Sequence, residues 1–261
     1  MKVPLRETPW LPVRWAVPAI LPVLTVVVVV LLWEGVARLL RVPVWILPSP
    51  LSIVQATAAW GSRLPYHVGV TLYETLAGFG IAIAVGIPLA ALVVHVPILY
   101  STFYPLLLGL QSVPKVAIAP LLLIWLGYGE LPKIVVVFLV CFFPIVVSTV
   151  TGLTAVPPEL MDLVRSLSPS TSQVFVKIRF PTSLPYLFVG LKVAITLAVI
   201  GAVIGEFVSA ERGLGYLILA ATSQLNTSLG FGALALLTIM SILLYYGVEA
   251  LERLISPWAR S

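Results

Sequence analysis

Five residues interrupt apolar stretches of this chain. Their chemistry favours the binding of a solute over covalent catalysis. They are Glu74, Gln111, Ser112, Pro114 and Lys115. Within an apolar block of membrane-spanning length, charges and the carbonyl groups freed by proline are tolerated only beside protein or water that satisfies them. We therefore expect a solute path beside these residues. The alternative is a kink whose polar groups bond only to neighbouring helices, with Glu74 paired to Lys115 or to another subunit.

The side chains that usually perform catalysis or hold metals are few and poorly spaced for either task. Cys141 is the single cysteine and lies within an apolar run, and His67 and His95 have no metal-ligand spacing. Nothing resembles a nucleophile with its base or a carboxylate pair at working separation. The phosphate-binding pattern G-x-x-x-x-G-K-[ST] does not occur. We predict that the chain is not an enzyme, and that it binds neither a cofactor nor a metal.

The least hydrophobic interior stretch, residues 159–181, holds five charges between two long apolar blocks. Pro157-Pro158 ends the first block, and Glu159 and Asp162 then place negative charge near the start of a new helix, where the helix dipole favours it. Apolar residues recur at i, i+3, i+4 and i+7, namely Leu160, Leu163, Val164 and Leu167. This spacing predicts one apolar stripe on a short helix, covered by a partner groove or by lipid headgroups.

A turn and a second short helix follow the stripe. Ser168-Pro169 stops the first helix, and the segment from Ser170 to Gln173 has the spacing of a capping box. Ile178 then lies in the second short helix, and Pro181 leads into the next apolar block. We expect residues 156–181 to form one loop with two helices between two membrane helices.

The composition requires a membrane around most of the chain. Hydrophobic residues make up 60% of it and charged residues 10%, whereas roughly a quarter of the residues in soluble domains are charged. The mean hydropathy is +1.12. Because the apolar blocks show no alternation with a period of two, we predict an all-α membrane protein rather than a barrel. The net charge is +5, but the basic residues are spread along loops, which argues against nucleic-acid binding.

Six membrane helices fit the apolar blocks, since a helix needs about 20 apolar residues to cross the bilayer core. Their expected ranges are 15–38, 67–94, 99–127, 133–155, 182–209 and 230–254. The third contains three prolines, so we expect it to be broken. We divide the chain into a cytoplasmic N-terminal segment, 1–14, and a transmembrane domain, 15–261, which includes the loop 156–181. A short interfacial helix is expected to start after Pro50.

The distribution of basic residues favours cytoplasmic N- and C-termini. In that orientation eight lysines and arginines lie on the cytoplasmic side and five lie outside. Lys133 and Arg212 are among the outer ones. For Glu206 we expect either an outer-surface ion pair with Arg212 or a contact with a helix end. We expect Lys192 to extend towards the cytoplasmic interface. Small residues lie along one side of the fifth helix, at positions 194, 198, 201 and 205. They allow close packing within the subunit or against a second copy.

The spacing of residues 162–181 resembles that of the EAA loop in the permeases of ATP-binding-cassette (ABC) importers. The family pattern is EAA, three residues, G, nine residues and I-x-L-P. The same intervals separate Asp162-Leu163-Val164, Ser168 and Ile178-Arg179-Phe180-Pro181. The resemblance implies a six-helix type I ABC importer transmembrane domain, with a cytoplasmic coupling helix that docks into a cleft of an ATPase subunit.

The resemblance also implies which residues couple the loop to the ATPase. By position they are Asp162, Leu163, Val164, Ser168, Ile178 and Pro181, and the stripe adds Leu160 and Leu167. Ser168 stands where the family has glycine, which turns the chain at no steric cost. We therefore expect the turn at Ser168-Pro169 to follow another backbone route.

Other segments resemble the taurine, sulfonate and nitrate permease group, to which the permeases for thiamine-precursor pyrimidines and riboflavin belong. They are Leu47 to Pro50, Ser112 to Leu121, Trp125 to Gly127, Gly213 to Tyr216 and Pro257-Trp258. The resemblance implies the permease subunit of a binding-protein-dependent importer in a prokaryotic plasma (inner) membrane. Its substrate would be a vitamin, a vitamin precursor or a small organic solute or anion.

The partners implied by the resemblance are a cytoplasmic ABC ATPase dimer, an external substrate-binding protein and a second permease subunit, identical or different. ATP and magnesium would bind to the ATPase and not to this chain. The main alternative is a self-contained secondary transporter. It would need ion-coupling carboxylates at the membrane midplane and usually inverted repeats, whereas most acidic residues here lie near helix ends.

Overall fold

The computed structural model describes residues 17–209 and 211–260, and every regular element in these ranges is helical. The predicted segment 1–14 lies outside them. The α-helices of the described ranges are α1 (Val17–Leu39), α2 (Pro50–Ala59), α3 (Leu64–His95), α4 (Pro97–Gln111), α5 (Lys115–Leu126), α6 (Glu130–Thr154), α7 (Pro158–Ser166), α8 (Thr171–Val174), α9 (Phe180–Ser209), α10 (Leu214–Ser223) and α11 (Thr227–Ile255). A π-helix, Phe175–Arg179, joins α8 to α9.

Six crossings of a membrane account for the long helices. Among the described residues, α1, α3, α6, α9 and α11 are each long and apolar enough to span, and α4 and α5 form a bent pair at 95°. The end of α3 lies beside the 156–181 loop, whereas α6 begins at the opposite end of the bundle. The chain between them must therefore cross, and the predicted broken third helix is confirmed. We call these the loop end and the far end.

The predicted boundaries are least accurate at the far end. There α3, α6 and α11 each begin three residues earlier than predicted, at Leu64, Glu130 and Thr227. The predicted set has no counterpart of α10, because its ten residues are too few for a crossing and their apolar character merges with that of α11. The interfacial helix expected after Pro50 is present as α2, and the hydroxyl of Ser49 caps it by accepting from the N–H of Ser52 (3.3 Å).

The core of the bundle consists of α3, α6 and α9, which approach closely because many facing residues are small. Ala82 of α3 and both Ala194 and Ala198 of α9 are completely buried. A Cβ added to Gly201 of α9 would lie 3.0 Å from the Cα of Val137 in α6. Small residues allow helices to pack at such short range. The small side of α9 thus packs within the subunit, against α6.

A buried ion pair links α3 to α6 near the far end. Glu74 bonds to Lys133, and their side chains are 0% and 3% exposed. Leaving either charge unpaired in such an interior is strongly destabilising, so the pair fixes how these two helices face each other. Lys133, predicted as the first residue of the fourth membrane helix, lies buried in the first turn of α6, and Glu74 pairs with it rather than with Lys115.

A second buried carboxylate, Glu206 of α9, caps the start of α10. It accepts hydrogen bonds from the N–H groups of Gly215 (2.5 Å) and Tyr216 (3.2 Å), and from the hydroxyl of Thr71 (2.6 Å). N–H groups at a helix N-terminus lack partners within the helix and favour negative charge. Of the two alternatives expected for Glu206, the structure shows the helix-end contact and not the surface pair with Arg212, since Glu206 is 1% exposed and is used in this cap.

Gly213 allows the chain to pass directly over that carboxylate. Its φ is 111°, in a region that residues with a side chain rarely adopt. A Cβ at this position would overlap the carboxyl group of Glu206. The glycine is therefore required both by the backbone conformation and by the space available.

Near the loop end, Lys192 of α9 forms an ion pair with Glu252 of α11, with the two charged groups 2.5 Å apart. The ammonium group also lies 6.0 Å from the ring centroid of Tyr245. Its partner Glu252 lies in the last turn of α11, so the contact ties α9 to α11 near the loop end, towards which Lys192 is predicted to extend.

Gly78 and Gly80 of α3 offer a matched test of the close packing. A Cβ at Gly78 would lie 2.5 Å from the Cβ of Val137, whereas one at Gly80 meets nothing within 4 Å. We expect Gly78→Ala to lower the stability by about 1–3 kcal/mol, because overpacking forces α3 and α6 apart. Gly80→Ala should be neutral or slightly stabilising, since alanine favours the helix. Thermal unfolding of the purified protein in detergent measures both, and equal shifts would contradict the packing.

Lys133→Met tests the buried ion pair. The substitution leaves the charge of Glu74 without its partner, and we expect a loss of stability of about 3–5 kcal/mol. The double variant Lys133→Met/Glu74→Gln should recover much of that loss, because no charge is left to desolvate. Arg212→Met removes a half-exposed cation as a control and should cost under about 1 kcal/mol. A double variant no more stable than Lys133→Met in the same unfolding measurement would count against the pairing.

Candidate functional site

The loop between α6 and α9 presents the short helix α7 at the loop end of the bundle. After the turn, the hydroxyl of Ser170 accepts from the N–H of Gln173 (3.2 Å), and the side chain of Gln173 accepts from the N–H of Ser170 (3.0 Å). The predicted capping box is thus confirmed. These reciprocal bonds fix where α8 begins.

The predicted apolar stripe of α7 divides into two faces. Val164 is 8% exposed, whereas Leu160, Leu163 and Leu167 are 39%, 63% and 75% exposed. Val164 therefore anchors α7 to its own subunit. Burying a leucine side chain stabilises a complex by about 1.5–3 kcal/mol. Leu160 and Leu163 of α7, with Leu167 in the turn directly after it, thus form an exposed apolar face, which we call the leucine face.

Ser168 makes the turn after α7 with a φ of +50°. This is the left-handed region that glycine adopts freely and that costs other residues about 1–2 kcal/mol. The expectation of another backbone route is wrong, because Ser168 adopts a positive φ as a glycine would. Pro169 follows and prevents α7 from continuing.

The remaining residues of the loop join it to α9. Asp162 lies on the exposed side of α7, and Ile178 and Pro181 are half-buried in the π-helix and in the first turn of α9. Helical structure is unbroken from Thr171 to Ser209. One continuous helix therefore joins the loop to the far end.

The residues predicted to lie beside a solute path are found in two separate places, and one of these places is the break between α4 and α5. Those exposed at the break are Gln111, Ser112 and Pro114. Lys115 donates a hydrogen bond to the carbonyl of Gln111, and its ammonium group lies 5.1 Å from the ring centroid of Phe143. A carbonyl and an aromatic face both stabilise a cation at this depth. The structure does not bring Glu74 to this break.

A cavity of about 730 Å³ opens at the far end, between the starts of α3 and α6 and the end of α9, and we call it the vestibule. Arg212 donates to the hydroxyl of Tyr66 (3.1 Å) and to Glu130 (2.8 Å), and Lys133 lies 3.4 Å from Glu130. The bonds to Tyr66 and Glu130 raise the pKa of the Arg212 guanidinium, so it stays charged.

The vestibule is not apparent from the sequence, because its lining comes from four separated segments of the chain. One signal was available. Glu206 is followed by two glycines, Gly213 and Gly215, at the start of an apolar run. A glutamate and nearby glycines before a helix indicate a backbone that passes close to a carboxylate.

The family model described as "Binding-protein-dependent transport system inner membrane component" matches residues 82–261. Two relatives cover nearly the whole chain. The formylaminopyrimidine transport permease protein of Halalkalibacterium halodurans is 32% identical over 93% of this chain and 97% of its own length. The riboflavin transport system permease protein of Chloroflexus aurantiacus is 34% identical over 95% of this chain and 93% of its own length.

Among solved structures, the inward-facing MetNI methionine ABC transporter is similar in fold. The TM-score is 0.65 at 22% identity, over 75% of this chain and 97% of that one. The helical architecture, the family match and the relatives agree. The chain belongs to the family of binding-protein-dependent transport system inner membrane components, and it is the permease subunit of an ABC importer.

Proposed function

We propose that the loop end faces the cytoplasm and that the leucine face docks α7 into a cleft of the partner ATPase. The supporting observation is the exposure of Leu160, Leu163 and Leu167 on a helix that also has the spacing of the coupling loop. Three apolar side chains without cover in this subunit favour a protein partner, and hot spots of interfaces are apolar anchors of this kind. Both chain termini then lie in the cytoplasm.

The remaining predicted coupling residues contact this subunit and position α7, rather than contacting the ATPase. Val164 anchors α7, Ser168 sets the turn, and Ile178 and Pro181 join the loop to α9. When the ATPase subunits bind ATP with magnesium and close, α7 moves with them. The rigid connection through α8 and the π-helix carries this displacement into α9, which extends to the vestibule.

At the far end, the vestibule receives the solute from an external substrate-binding protein. A second permease subunit completes the path across the membrane. The two relatives are named for a pyrimidine and for riboflavin, and we propose a small organic solute of the vitamin or vitamin-precursor kind for this importer. Of the five residues first expected beside the path, Gln111, Ser112, Pro114 and Lys115 remain candidates at the break in the third crossing.

A self-contained secondary transporter is disfavoured by the use of the buried acids. Glu74 pairs with Lys133, and Glu206 caps α10. Both carboxylates therefore have structural partners, whereas ion coupling requires acids that exchange an ion at the midplane. Uptake into proteoliposomes that contain this permease without its ATPase would favour the secondary transporter.

Leu163→Asp tests the docking face. A charge on this face cannot be desolvated against an apolar cleft, so we expect binding of the ATPase to weaken by at least about tenfold. Substrate uptake by the reconstituted importer should fall in parallel, while the bundle stays folded. Leu254→Asp is the matched control, because Leu254 is 79% exposed at the same end but lies in α11. Unchanged ATPase association in Leu163→Asp would refute the docking assignment.

Ser168→Gly and Ser168→Val test the turn. Glycine relieves the cost of the positive φ, and we expect it to stabilise the protein by about 1 kcal/mol and to leave uptake intact. Valine is branched at Cβ and disfavours this region further, so uptake should fall while the ATPase rate no longer responds to substrate. ATPase assays with and without the binding protein measure this response, and valine behaving like glycine would contradict the turn's role.

A further inference from the structure

The break between α4 and α5 places a lysine near the middle of the bundle. The ammonium group of Lys115 lies 5.1 Å from the ring centroid of Phe143, and Phe143 is the fourteenth of the 25 residues of α6. At a rise of about 1.5 Å per residue, the two ends of α6 are about 16–20 Å away. A lysine side chain is too short to cover that distance, so its charge stays at the depth of the membrane interior.

The partners of Lys115 within the subunit are uncharged. Its ammonium group donates to the carbonyl of Gln111 and faces the ring of Phe143. It forms no ion pair with any residue that the structure describes, whereas Lys133 and Lys192 each pair with glutamates. A carbonyl and an aromatic ring stabilise a cation but leave its net charge in place. A negative partner at this depth would therefore be strongly attracted.

A second copy of this chain cannot supply that negative partner. Each acidic residue in the described ranges is ion-paired, caps a helix or lies at an end of the bundle. They are the paired Glu34, Glu74, Glu130, Glu249 and Glu252, the capping Glu206, and Glu159, Asp162 and Glu211 at the two ends. An identical subunit thus brings no described carboxylate to the depth of Lys115.

Two more polar side chains accompany Lys115 at the break. Gln111 and Ser112 are exposed, and neither side chain has a hydrogen-bond partner in the part of the subunit that the structure describes. The amide and the hydroxyl can both donate hydrogen bonds. Lipid tails offer no acceptor, and exposed polar groups at this depth are tolerated only beside protein or water. The ammonium, amide and hydroxyl groups therefore form a set of donors within five residues, which we call the donor cluster.

We propose that the donor cluster is a solute site and that it binds an anionic oxygen group of the solute, such as a carboxylate, sulfonate or phosphate. The inference rests on the proposed function and adds the place of binding and the charge of the solute. Lys115 supplies the counter-charge, while Gln111 and Ser112 donate hydrogen bonds to the anionic oxygens. The bound anion compensates the one charge that the subunit leaves unpaired at this depth.

A second subunit of different sequence is the other source of negative charge. Its carboxylate would occupy Lys115 permanently, cancel the local positive potential and exclude added anions. A solute site instead stays open to water and to small anions between transport cycles. The two cases therefore differ in how the break responds to charged reagents.

Charge-selective labelling tests the site. In a Cys141→Ala background, which removes the only native thiol, Ser112→Cys places a thiol in the donor cluster and Val28→Cys places one on the exposed middle of α1. The importer in lipid is labelled with an anionic sulfonatoethyl and a cationic trimethylammonioethyl methanethiosulfonate, and each rate is divided by that of a free thiol in water. The anionic reagent should be favoured at least about tenfold at position 112, because a cation lies close by in a medium of low dielectric constant. Position 28 should react with neither reagent.

Substitution of Lys115 shows whether its charge causes the preference. Lys115→Met should lower the preference for the anionic reagent at least about fivefold, whereas Lys115→Arg should keep it. A merely structural lysine would change both rates in the same proportion. A ratio that Lys115→Met leaves unchanged, or a thiol at position 112 no more reactive than that at position 28, would overturn the site.

Competition between defined probes tests the ligand class. The Ser112→Cys thiol is labelled with uncharged methyl methanethiosulfonate in the presence of ethanesulfonate or of ethyl methyl sulfone, which has nearly the same shape but no charge. Ethanesulfonate should slow the labelling at least about threefold, and the sulfone should not, since hydrogen bonds to a charged group are the stronger ones. Equal effects of the two probes, or no effect of ethanesulfonate, would contradict anion binding.

ATPase association of the same variants reports separately on the docking of α7. A preference for the anionic reagent without ATPase binding would refute the docking and support the anion site. Normal ATPase binding without that preference would refute the anion site and leave the docking unaffected.

Discussion

The absence of water from the bilayer interior is the constraint on which this structure depends. Polar groups there must find partners within the protein. At the far end Glu74 and Lys133 satisfy this by pairing, and Glu206 satisfies it by accepting the N–H groups at the start of α10. These contacts join α3, α6, α9 and α10, so the helices that enclose the vestibule are held together by the same charges that the membrane would otherwise exclude.

At the loop end the situation is reversed, because apolar side chains rather than polar groups lack a partner within the subunit. The leucine face of α7 is exposed instead of being buried in the subunit. Such a face is unfavourable until a partner covers it. The left-handed turn at Ser168 and the capping box after it hold the face in a defined position, at a modest conformational cost. The permease thus presents at this end a fixed apolar surface that no other part of the subunit covers.

Local patterns in the sequence predicted those parts of the fold that local physics decides. Long apolar runs predicted the six crossings, prolines predicted the break in the third, and the spacing from Ser170 to Gln173 predicted the cap of α8. The failures concern long-range partners. Lys133 and Glu206 lie near helix ends in sequence, which is typical of surface residues, yet Glu74 and the backbone of α10 bury them. No local pattern reveals a partner 59 residues away.

The continuous helix from Thr171 to Ser209 connects the two ends physically. Its 39 residues extend over about 58 Å at 1.5 Å per residue, and α6 packs along it through small residues that leave little freedom to bend. One end of this helix belongs to the proposed docking loop. The other end provides Glu206 and Phe207, which border the vestibule. Because packed helices move as rigid bodies more readily than they deform, the proposed docking of α7 would displace α9 as a unit and alter the vestibule at its other end. Under that proposal, ATPase docking and solute access both depend on the position of one helix.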